Sequence, residues 1–336
     1  MGNPVLVLGA GSWGTALALV LARNGRDVRL WDGDAGHIDR LMEEGGNNRH
    51  LPGHPFPDNL VPVRDLAPLA AGARDVVVAV PCEALREALT RLREAAGTGD
   101  LSLCIASKGL EPGTLMLNHE VAAEVLGEVP AAVLSGPSFA REVAAGLPTA
   151  VVVAAMDTAV AAHFAELFHD ELFRIYTQDD VIGVQVGGAV KNVMAIAAGV
   201  ADGLGYGANT RAAVITRGLA EVMRLGTAMG GRPETFMGLT GLGDLVLTCT
   251  DDQSRNRRFG LALSRGASEE QARRDIGQAI EGIRTVAAVA ELADKFGVDM
   301  PISDHVGRVI RGEMAARDAV QSLLHRERKA ESPGEG

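Results

Sequence analysis

Aromatic residues are scarce in this sequence, at 4% of 336 residues, whereas glycine occurs 41 times. We therefore expect helices and strands to pack closely through small side chains. The chain also lacks a basic surplus, because its formal net charge is −11. This acidic balance and the missing aromatic interleaving argue against binding to nucleic acid or acidic membranes. A phosphorylated substrate would need a local cluster of cations.

Cysteine is equally rare. Cys82, Cys104 and Cys249 lie far apart and form no CxxC or zinc-type spacing, so we expect free thiols, a reducing compartment and no metal site. Residues 4–22 carry no charge, but no basic segment precedes them, and three glycines interrupt the run. We interpret this stretch as a buried strand, turn and helix. The expectation is a cytoplasmic protein without a targeting segment or a membrane span.

A chain of this length is expected to form two domains. In the first half, short apolar runs alternate with helical patterns, which predicts an α/β domain with a mostly parallel sheet. After about Val181 the pattern is only helical. We therefore predict domains at 1–185 and 186–325, with a flexible tail at 326–336. Strands are predicted at 5–8, 28–31, 76–80, 101–106, 131–134 and 150–153, a surface loop at 45–59, and helices at 15–24, 181–200, 209–230, 255–265, 269–276, 279–296 and 302–312.

The first predicted strand is followed by a turn of the form GxGxxG, in which Gly9, Gly11 and Gly14 are the glycines. The pattern is weak alone, but here it joins a strand to a helix, as a dinucleotide site requires. Gly9 permits the tight turn, Gly11 lets the backbone approach a pyrophosphate, and Gly14 lets the helix pack on the strand. The alternative is a purely structural strand–helix turn.

The second predicted strand ends at Trp31-Asp32-Gly33-Asp34. An acidic residue at this position binds the ribose 2′-hydroxyl of NAD, whereas an arginine would hold the 2′-phosphate of NADP. Because no cation lies immediately beside Asp32, we predict that NAD binds better than NADP. The alternative is that Asp32 points to solvent.

The first long helix of the second half places Gly187, Lys191, Ala195 and Gly199 on one face, because they recur every four residues. A lone lysine among small residues is unusual in a core. Partial burial and other cations would lower its pKa towards the range of a general acid. A neighbouring helix that packs closely against the glycines is the alternative explanation.

Two later segments carry further polar groups. Asp244 and Thr248 share a face if residues 241–250 are helical, and are otherwise turn or capping residues. The run from Ser254 through Arg255 and Asn256 to Arg258 is compact and cationic, which suits a phosphate. A solvated basic helix start is the alternative.

Ligands of open α/β sheets bind outside the carboxyl ends of the strands. Lys108 follows the strand predicted at 101–106, and Ser138 follows the strand predicted at 131–134. They are therefore candidates for a second cation and a hydroxyl at the site, or else ordinary turn residues.

Taken together, six segments resemble bacterial NAD(P)-dependent glycerol-3-phosphate dehydrogenases, over nearly the whole chain. They are 9–14, 107–109, 135–140, 187–199, 241–250 and 253–260. The resemblance implies a Rossmann-type N-terminal domain, an all-helical C-terminal domain and a homodimer. It also implies reversible reduction of dihydroxyacetone phosphate to sn-glycerol 3-phosphate with NAD or NADP, which supplies the glycerophospholipid backbone.

The resemblance also assigns roles to residues. Lys191 would exchange the proton at the C2 oxygen, with Lys108 beside it and Asp244 orienting it. The substrate site would comprise Lys108, Gly136, Ser138, Lys191, Asn192, Asp244, Thr248, Ser254, Arg255 and Asn256. The dinucleotide site would comprise Gly9, Gly11, Ser12, Trp13, Gly14, Asp32, Lys108, Ala140, Arg255 and Glu281. Family members often carry His or Arg where this chain has Gly33, which supports the preference for NAD.

Two rival functions are consistent with the same layout. A β-hydroxyacid or 6-phosphogluconate-type dehydrogenase also uses a lysine on an interdomain helix, but no separate carboxylate-binding site is apparent in this sequence. A dinucleotide-sensing protein without turnover is the other rival, and the presence of Lys108, Lys191 and Asp244 argues against it.

Overall fold

The computed structural model describes residues 3–66, 73–97 and 101–325. The tail predicted from residue 326 lies outside the described residues. Within them, the first half forms one sheet with helices, and the described chain after Gln178 contains helices without strands. The predicted combination of an α/β region and an all-helical region is confirmed.

Eight strands form a single sheet in the order β3-β2-β1-β4-β5-β6-β7-β8. All neighbouring strands are parallel except β6 and β7, which are antiparallel, so the prediction of a mostly parallel sheet is confirmed. The strands are β1 Val5–Leu8, β2 Val28–Trp31, β3 Leu60–Val63, β4 Asp75–Val78, β5 Ser102–Ile105, β6 Ala131–Ser135, β7 Thr149–Ala154 and β8 Phe173–Gln178.

The two strands that the sequence pattern did not predict, β3 and β8, are the two edges of this sheet. β3 contains Pro62, which cannot donate a ladder hydrogen bond and is tolerated at an edge. β8 has one buried residue, Phe173, and otherwise half-buried or exposed ones. In contrast, all four residues of β1 are buried. Apolar runs therefore identified the central strands and missed the edges.

Six helices accompany the sheet in the described chain. Helix α1 follows β1 directly, and its start at Ser12 is three residues earlier than predicted. The others connect later strands and cover the faces of the sheet. The helices are α1 Ser12–Arg23, α2 Ala35–Glu44, α3 Cys82–Ala96, α4 Asn118–Leu126, α5 Ala140–Ala144 and α6 Thr158–Phe168.

The helical region begins with α7, Val181–Gly203, which is longer than predicted. The predicted domain boundary after residue 185 falls inside this helix, and the division into domains remains a prediction. A π-helix at Leu239–Gly243 leads directly into the helix that carries Asp244. The remaining helices are α8 Ala208–Ala228, α9 Pro233–Met237, α10 Asp244–Thr250, α11 Arg255–Ser264, α12 Glu269–Ile276, α13 Glu281–Phe296, α14 Pro301–Ile310 and α15 Ala316–Leu324. Short α9, α10 and α15 were not predicted.

Helix α7 is the axis of the helical core. It is the one described helix that is long and apolar enough to cross a membrane, but 89% of its most apolar window is buried inside the protein. Small residues let its neighbours approach: a Cβ on Gly199 would lie 2.1 Å from the carbonyl oxygen of Arg257, and one on Gly260 would lie 2.1 Å from that of Ile196. The expectation of close packing through small side chains is confirmed.

The segment between α2 and β3 was predicted to be a surface loop, and this is only partly right. Asn47 is 1% exposed and Leu51 is 0% exposed. The Asn47 side chain donates to the carbonyl oxygen of Ala10 and to the hydroxyl of Thr15. The segment therefore folds back over the glycine-rich turn, where the asparagine amide and the His37 ring share the carbonyl oxygen of Ala10.

We predict that Gly14→Ala destabilises the protein by about 3 kcal/mol, the upper part of the range for overpacking. A Cβ at this position would lie 1.9 Å from the carbonyl oxygen of Gly9, so the helix would have to move away from the strand. Gly11→Ala is the matched control, because a Cβ there would meet no atom within 4 Å. Urea unfolding of the two variants and the parent, without ligands, measures the difference. Equal stability of the two variants would contradict the argument.

Candidate active site

The carboxyl ends of the central strands and the helical core enclose a cleft. Lys108 follows β5, Gly136 and Ser138 follow β6, and the glycine-rich turn follows β1. All of them lie at the carboxyl ends of the parallel strands. Opposite them, α7 packs against β6 through Gly188, where a Cβ would lie 2.6 Å from the Ser135 hydroxyl. The candidate residues therefore lie at the strand ends, where ligands of open α/β sheets bind, and their assignment as a binding site remains a prediction.

The carboxylate of Asp244 binds two lysine ammonium groups. One oxygen, Oδ1, accepts a hydrogen bond from Lys191 Nζ. The other oxygen, Oδ2, accepts from Lys108 Nζ at 2.8 Å. Asp244 is 1% exposed and Lys191 is 7% exposed. This arrangement joins the sheet, through Lys108, to two helices of the helical core, and it brings together residues that are 136 positions apart in the sequence.

Thr248 completes the setting of Lys191. Its hydroxyl donates to the carbonyl oxygen of Asp244 at 2.6 Å and accepts from Lys191 Nζ at 3.0 Å. The segment is helical, so Asp244 and Thr248 do share a face. Because the hydroxyl proton is already used within the helix, Thr248 presents a lone pair to the lysine and restrains its rotation.

Burial lowers the pKa of Lys191 to about 8; the Asp244 carboxylate opposes this shift, and the Lys108 ammonium adds to it. Burial alone would raise the pKa of Asp244, but the ammonium groups of Lys108 and Lys191 outweigh it and the net shift is downward. The Asp244 carboxyl group is therefore ionised. The pKa of the Lys191 amine lies close enough to neutral pH for the amine to donate and accept a proton.

The turn after β6 supplies a second anchor for Lys108. Lys108 Nζ donates to the carbonyl oxygen of Gly136 at 2.9 Å, and the Ser138 hydroxyl donates to the same oxygen at 3.0 Å. Gly136 has φ of 144°, and a Cβ there would lie 3.0 Å from the backbone of Val151. Ser138 is thus held beside Lys108 by the backbone of a glycine that the close packing requires.

Two asparagines lie next to the lysine cluster. Asn256 donates from Nδ2 to Oδ1 of Asn192 at 2.9 Å, and its own Oδ1 accepts from the backbone N–H of Gly282 at 2.9 Å. Ser254 caps α11 by accepting from the backbone N–H of Arg257 at 3.2 Å. Of the predicted polar residues of this stretch, Asn256 therefore contacts α7 directly, through Asn192.

The basic run 254–258 does not act as one cluster, because α11 spreads its arginines over different faces. Arg257 is buried and pairs with Asp202 at 2.8 Å. Arg258 is exposed. Arg255 is half-buried at the mouth of the cleft, where burial lowers its pKa and the nearby Glu281 carboxylate opposes that shift. Within this run, Arg255 is therefore the candidate for binding a ligand anion.

The glycine-rich turn has the geometry of a dinucleotide cradle. Gly9 has φ of 106°, and a Cβ there would lie 2.8 Å from the backbone of Ala79. Helix α1 begins without a side-chain cap, and the space beside Gly11 is open to at least 4 Å. The start of this helix therefore has no side-chain cap and has room beside Gly11, two features that binding of a pyrophosphate requires.

Two side chains of this first turn are already engaged or enclosed. The Ser12 hydroxyl donates to the carbonyl oxygen of His50 at 2.7 Å. The indole N–H of Trp13 is buried and has no hydrogen-bond partner among the described residues. Ser12 thus contributes to the cradle by fixing the loop that covers it, and its backbone N–H is the group left for a ligand.

Asp32 does not point into solvent. Its Oδ2 accepts from the backbone N–H of Ala10 at 2.8 Å, and its Oδ1 accepts from that of Asp34 at 3.0 Å. The carboxylate therefore ties the end of β2 to the glycine-rich turn and retains lone pairs for a further donor.

Glu281 begins α13 at the opposite side of the cleft, where burial raises its pKa and the guanidinium groups of Arg284 and Arg255 oppose the shift. Its carboxylate lies 4.0 Å from where a Cβ on Gly109 would be. Ala140 begins α5 behind the turn that carries Ser138. Glu281 thus lies at the rim between the sheet and the helical core.

Two polar contacts that cross this rim were not predicted from the sequence. Glu83 of α3 pairs with Arg284 of α13, and Gln253 donates to Glu142 of α5 at 2.8 Å. Their exposed, unremarkable sequence contexts gave no signal. A signal did exist for the lysines: the chain has only four, among 32 cationic residues, and two of them bind the same carboxylate.

The arrangement can deliver a proton and neutralise an oxyanion. A buried amine with two fixed acceptors retains one N–H for a third partner, and Lys108 places a second positive charge nearby. Among the described residues, no group of three or more His, Cys, Asp or Glu is placed to hold a metal ion, and the three cysteines are free and buried. General acid–base chemistry at an oxygen fits these side chains.

Both regions of the chain match family models of known proteins. Residues 4–161 match the family model "NAD-dependent glycerol-3-phosphate dehydrogenase N-terminus", and residues 180–321 match the corresponding C-terminus model. A glycerol-3-phosphate dehydrogenase [NAD(P)+] of Thioalkalivibrio sulfidiphilus is 55% identical over 330 residues, 98% of each chain. One of Coxiella burnetii is 50% identical over 329 residues, also 98% of each chain. A crystal structure of glycerol-3-phosphate dehydrogenase from Coxiella burnetii has a TM-score of 0.94 at 49% identity, covering 97% of this chain and 99% of that one.

We predict opposite shifts in the pKa of Lys191 for two variants of its neighbours. Lys108→Met removes a like charge and leaves Asp244 to Lys191 alone, so the pKa rises. Asp244→Asn removes the opposing charge, so the pKa falls. Titration of the ¹³C-labelled lysine side chains by NMR measures both, and assignment is simple because the chain has four lysines. Shifts of the same sign in the two variants would refute the assigned causes.

Proposed function

This chain belongs to the family of NAD-dependent glycerol-3-phosphate dehydrogenases, and we propose that Lys191 is the proton donor with which it reduces dihydroxyacetone phosphate to sn-glycerol 3-phosphate. The observation that carries the proposal is the buried Lys191 amine held by Asp244 and Thr248 at the cleft. One of its three protons has no acceptor among the described residues, and the C2 oxygen of the substrate is the group that would take it. The product is the backbone of glycerophospholipids.

The energetics of proton transfer support this role. With a pKa of about 8, Lys191 is mostly protonated at neutral pH yet loses its proton more readily than an exposed lysine. Lys191 therefore donates to the carbonyl oxygen during reduction and accepts from the hydroxyl during oxidation. The Asp244 carboxylate holds the amine in place, and Lys108 stabilises negative charge that develops on the same oxygen.

The polar groups around Lys191 bind the rest of the substrate in this proposal. Arg255 has the planar fork of donors that suits a phosphate, and it lies at the mouth of the cleft. Ser254, Asn256 and Asn192 add hydrogen bonds, and Ser138 and Gly136 line the opposite side. Binding of the phosphate away from the reacting carbon would position the carbonyl beside Lys191.

The glycine-rich turn and the rim residues would hold a nicotinamide dinucleotide, which supplies the hydride when bound. The uncapped start of α1 and the open space beside Gly11 fit a pyrophosphate. Asp32 would bind the ribose with its remaining lone pairs, and Trp13, Ala140, Arg255 and Glu281 would line the rest. We infer a preference for NAD over NADP, because the carboxylate of Asp32 repels a 2′-phosphate and Gly33 provides no cation.

We also propose the cellular location, the oligomeric state and the domain boundary that the family resemblance implies. Three free, buried cysteines are consistent with a cytoplasmic enzyme. We propose a homodimer, as the resemblance implies, and a division near residue 185 between the dinucleotide-binding and the helical domain. The rival functions lose support, because both family models together match nearly the whole chain.

We predict that Lys191→Ala lowers kcat for dihydroxyacetone phosphate by about 10³-fold, within the usual range for loss of a general acid. The KM for NADH should change little, because Lys191 lies on the substrate side of the cleft. Loss of NADH absorbance in steady-state assays measures both constants.

Arg255→Ala is the contrasting variant, because it should chiefly raise the KM for the phosphorylated substrate. Near-normal turnover by the Lys191→Ala variant would remove the proposed mechanism. Absence of turnover by the parent enzyme would remove the proposed function itself.

Cofactor preference gives a separate prediction. The parent should use NADH with a kcat/KM at least about tenfold above that with NADPH, and Gly33→Arg should shift this ratio towards NADPH by about tenfold or more. The substitution is sterically free, since a Cβ at Gly33 would meet no atom within 4 Å. Gly33→Gln is the matched neutral control and should leave the ratio nearly unchanged. Comparable use of both cofactors by the parent would contradict the role given to Asp32.

A further inference from the structure

A chain of hydrogen bonds connects the start of α13 to the helix that carries Lys191. The backbone N–H of Gly282 donates to Oδ1 of Asn256 at 2.9 Å, and Nδ2 of Asn256 donates to Oδ1 of Asn192 at 2.9 Å. Gly282 lies in the first turn of α13, whose N-cap residue, Ile280, has no side-chain acceptor. The Asn256 amide therefore replaces the missing cap of a neighbouring helix.

The donor-to-acceptor direction of these hydrogen bonds is fixed by the backbone N–H of Gly282. A backbone N–H only donates, so the atom of Asn256 that faces Gly282 must be the carbonyl oxygen. The NH₂ group of Asn256 then faces Asn192, and the atom of Asn192 that receives it must in turn be the carbonyl oxygen. The NH₂ group of Asn192 has no acceptor among the described residues and is not fully enclosed. It is therefore free to donate to a ligand.

Only glycine permits this contact. A Cβ at Gly282 would lie 2.7 Å from the Ile196 side chain, 2.8 Å from the backbone carbonyl oxygen of Asn192 and 2.8 Å from Oδ1 of Asn256. Any other residue would push the start of α13 away from α7 and lengthen the hydrogen bond to Asn256. The preceding residue, Glu281, lies at the rim of the cleft. The contact between α13 and α7 at Gly282 therefore lies between the proposed substrate site and the proposed dinucleotide site.

We propose that Gly282 is a positioning residue: its peptide N–H sets the polarity of the Asn256 and Asn192 amides, so that Asn192 presents a donor to the substrate. The inference rests on the proposed function for the identity of the substrate. A donor suits a group that only accepts hydrogen bonds, such as a phosphate dianion. Asn256 then acts largely through Asn192. An alcohol in place of the phosphate would be an uncharged and therefore weaker acceptor for the Asn192 donor.

A double-mutant cycle tests the proposal. Gly282→Ala should raise the KM for dihydroxyacetone phosphate by about tenfold, with kcat within about threefold of the parent value. The KM for NADH should rise less than this, because displacement of the start of α13 moves Glu281 at the rim but leaves the glycine-rich turn in place. Asn256→Ala should raise the same KM by a similar factor. Because the glycine acts through the asparagine, the double variant should resemble Asn256→Ala alone. Stabilisation of each variant by sn-glycerol 3-phosphate, measured as a Tm shift, should weaken in parallel.

Gly218→Ala is the matched control for packing. A Cβ there would also crowd α7, at 2.8 Å from the Met194 sulfur, but the contact is the flexible end of a side chain outside the site. This variant should lose some stability and keep the KM for dihydroxyacetone phosphate. A parallel rise of that KM in Gly218→Ala would show that general loosening of α7 explains the effect and would overturn the proposal.

Two further outcomes decide against the proposal. Multiplicative effects in the double variant, or equal changes in kcat and both KM values for Gly282→Ala, contradict a role through Asn256. If Gly282→Ala does not fold, the cycle is made with Asn192→Ala and Asn256→Ala, whose effects on KM should not multiply. These outcomes are distinct from failure of the proposed function, in which the parent enzyme itself would not reduce dihydroxyacetone phosphate.

Discussion

The Asp244 carboxylate is the centre on which the site depends, because it neutralises one of two lysines that the fold forces together. A fully buried carboxylate is costly unless charged donors satisfy it, and here Lys191 and Lys108 each bind one of its oxygens. The cluster retains a net positive charge when both lysines are protonated. That charge faces a cleft in an otherwise acidic protein, which is the local cation cluster that a phosphorylated substrate requires.

The cluster also holds the two halves of the molecule together. Lys108 belongs to the end of a strand, Lys191 to the core helix α7, and Asp244 to a helix that a π-helical turn introduces. None of these side chains would be desolvated by its own element. The lowered pKa of Lys191 is therefore a property of the assembled cleft, and movement that separates sheet and helical core would return the amine towards its ordinary value.

The sequence predicted the features whose physical cause is local. Continuous apolar runs identified the central strands, and the glycines after Leu8 identified the strand–helix turn. There Gly14 does pack closely on Gly9, since a Cβ on Gly14 would lie 1.9 Å from the Gly9 carbonyl oxygen. The edge strands were missed, because edge positions accept Pro62 and polar residues that mask the pattern. The basic run 254–258 suggested one cluster, whereas its helix turns Arg257 towards Asp202. Contacts between distant segments, such as Gly282 with Asn256, depend on how the helices pack and left no trace in spacing.

The glycines of α7 show why close packing and chemistry cannot be separated here. The small-residue face does receive neighbouring segments: a Cβ on Gly187 would lie 2.8 Å from the carbonyl oxygen of Thr240, and one on Gly199 would lie 2.1 Å from that of Arg257. Lys191 lies between these two glycines along the helix. If bulkier residues replaced them, these segments would stand further from the helix and water would reach the amine. Glycine lowers the stability of a helix interior, but here it allows the close packing that keeps water away from Lys191. The same short distance between helices lets the start of α13 reach Asn256 and, through it, Asn192.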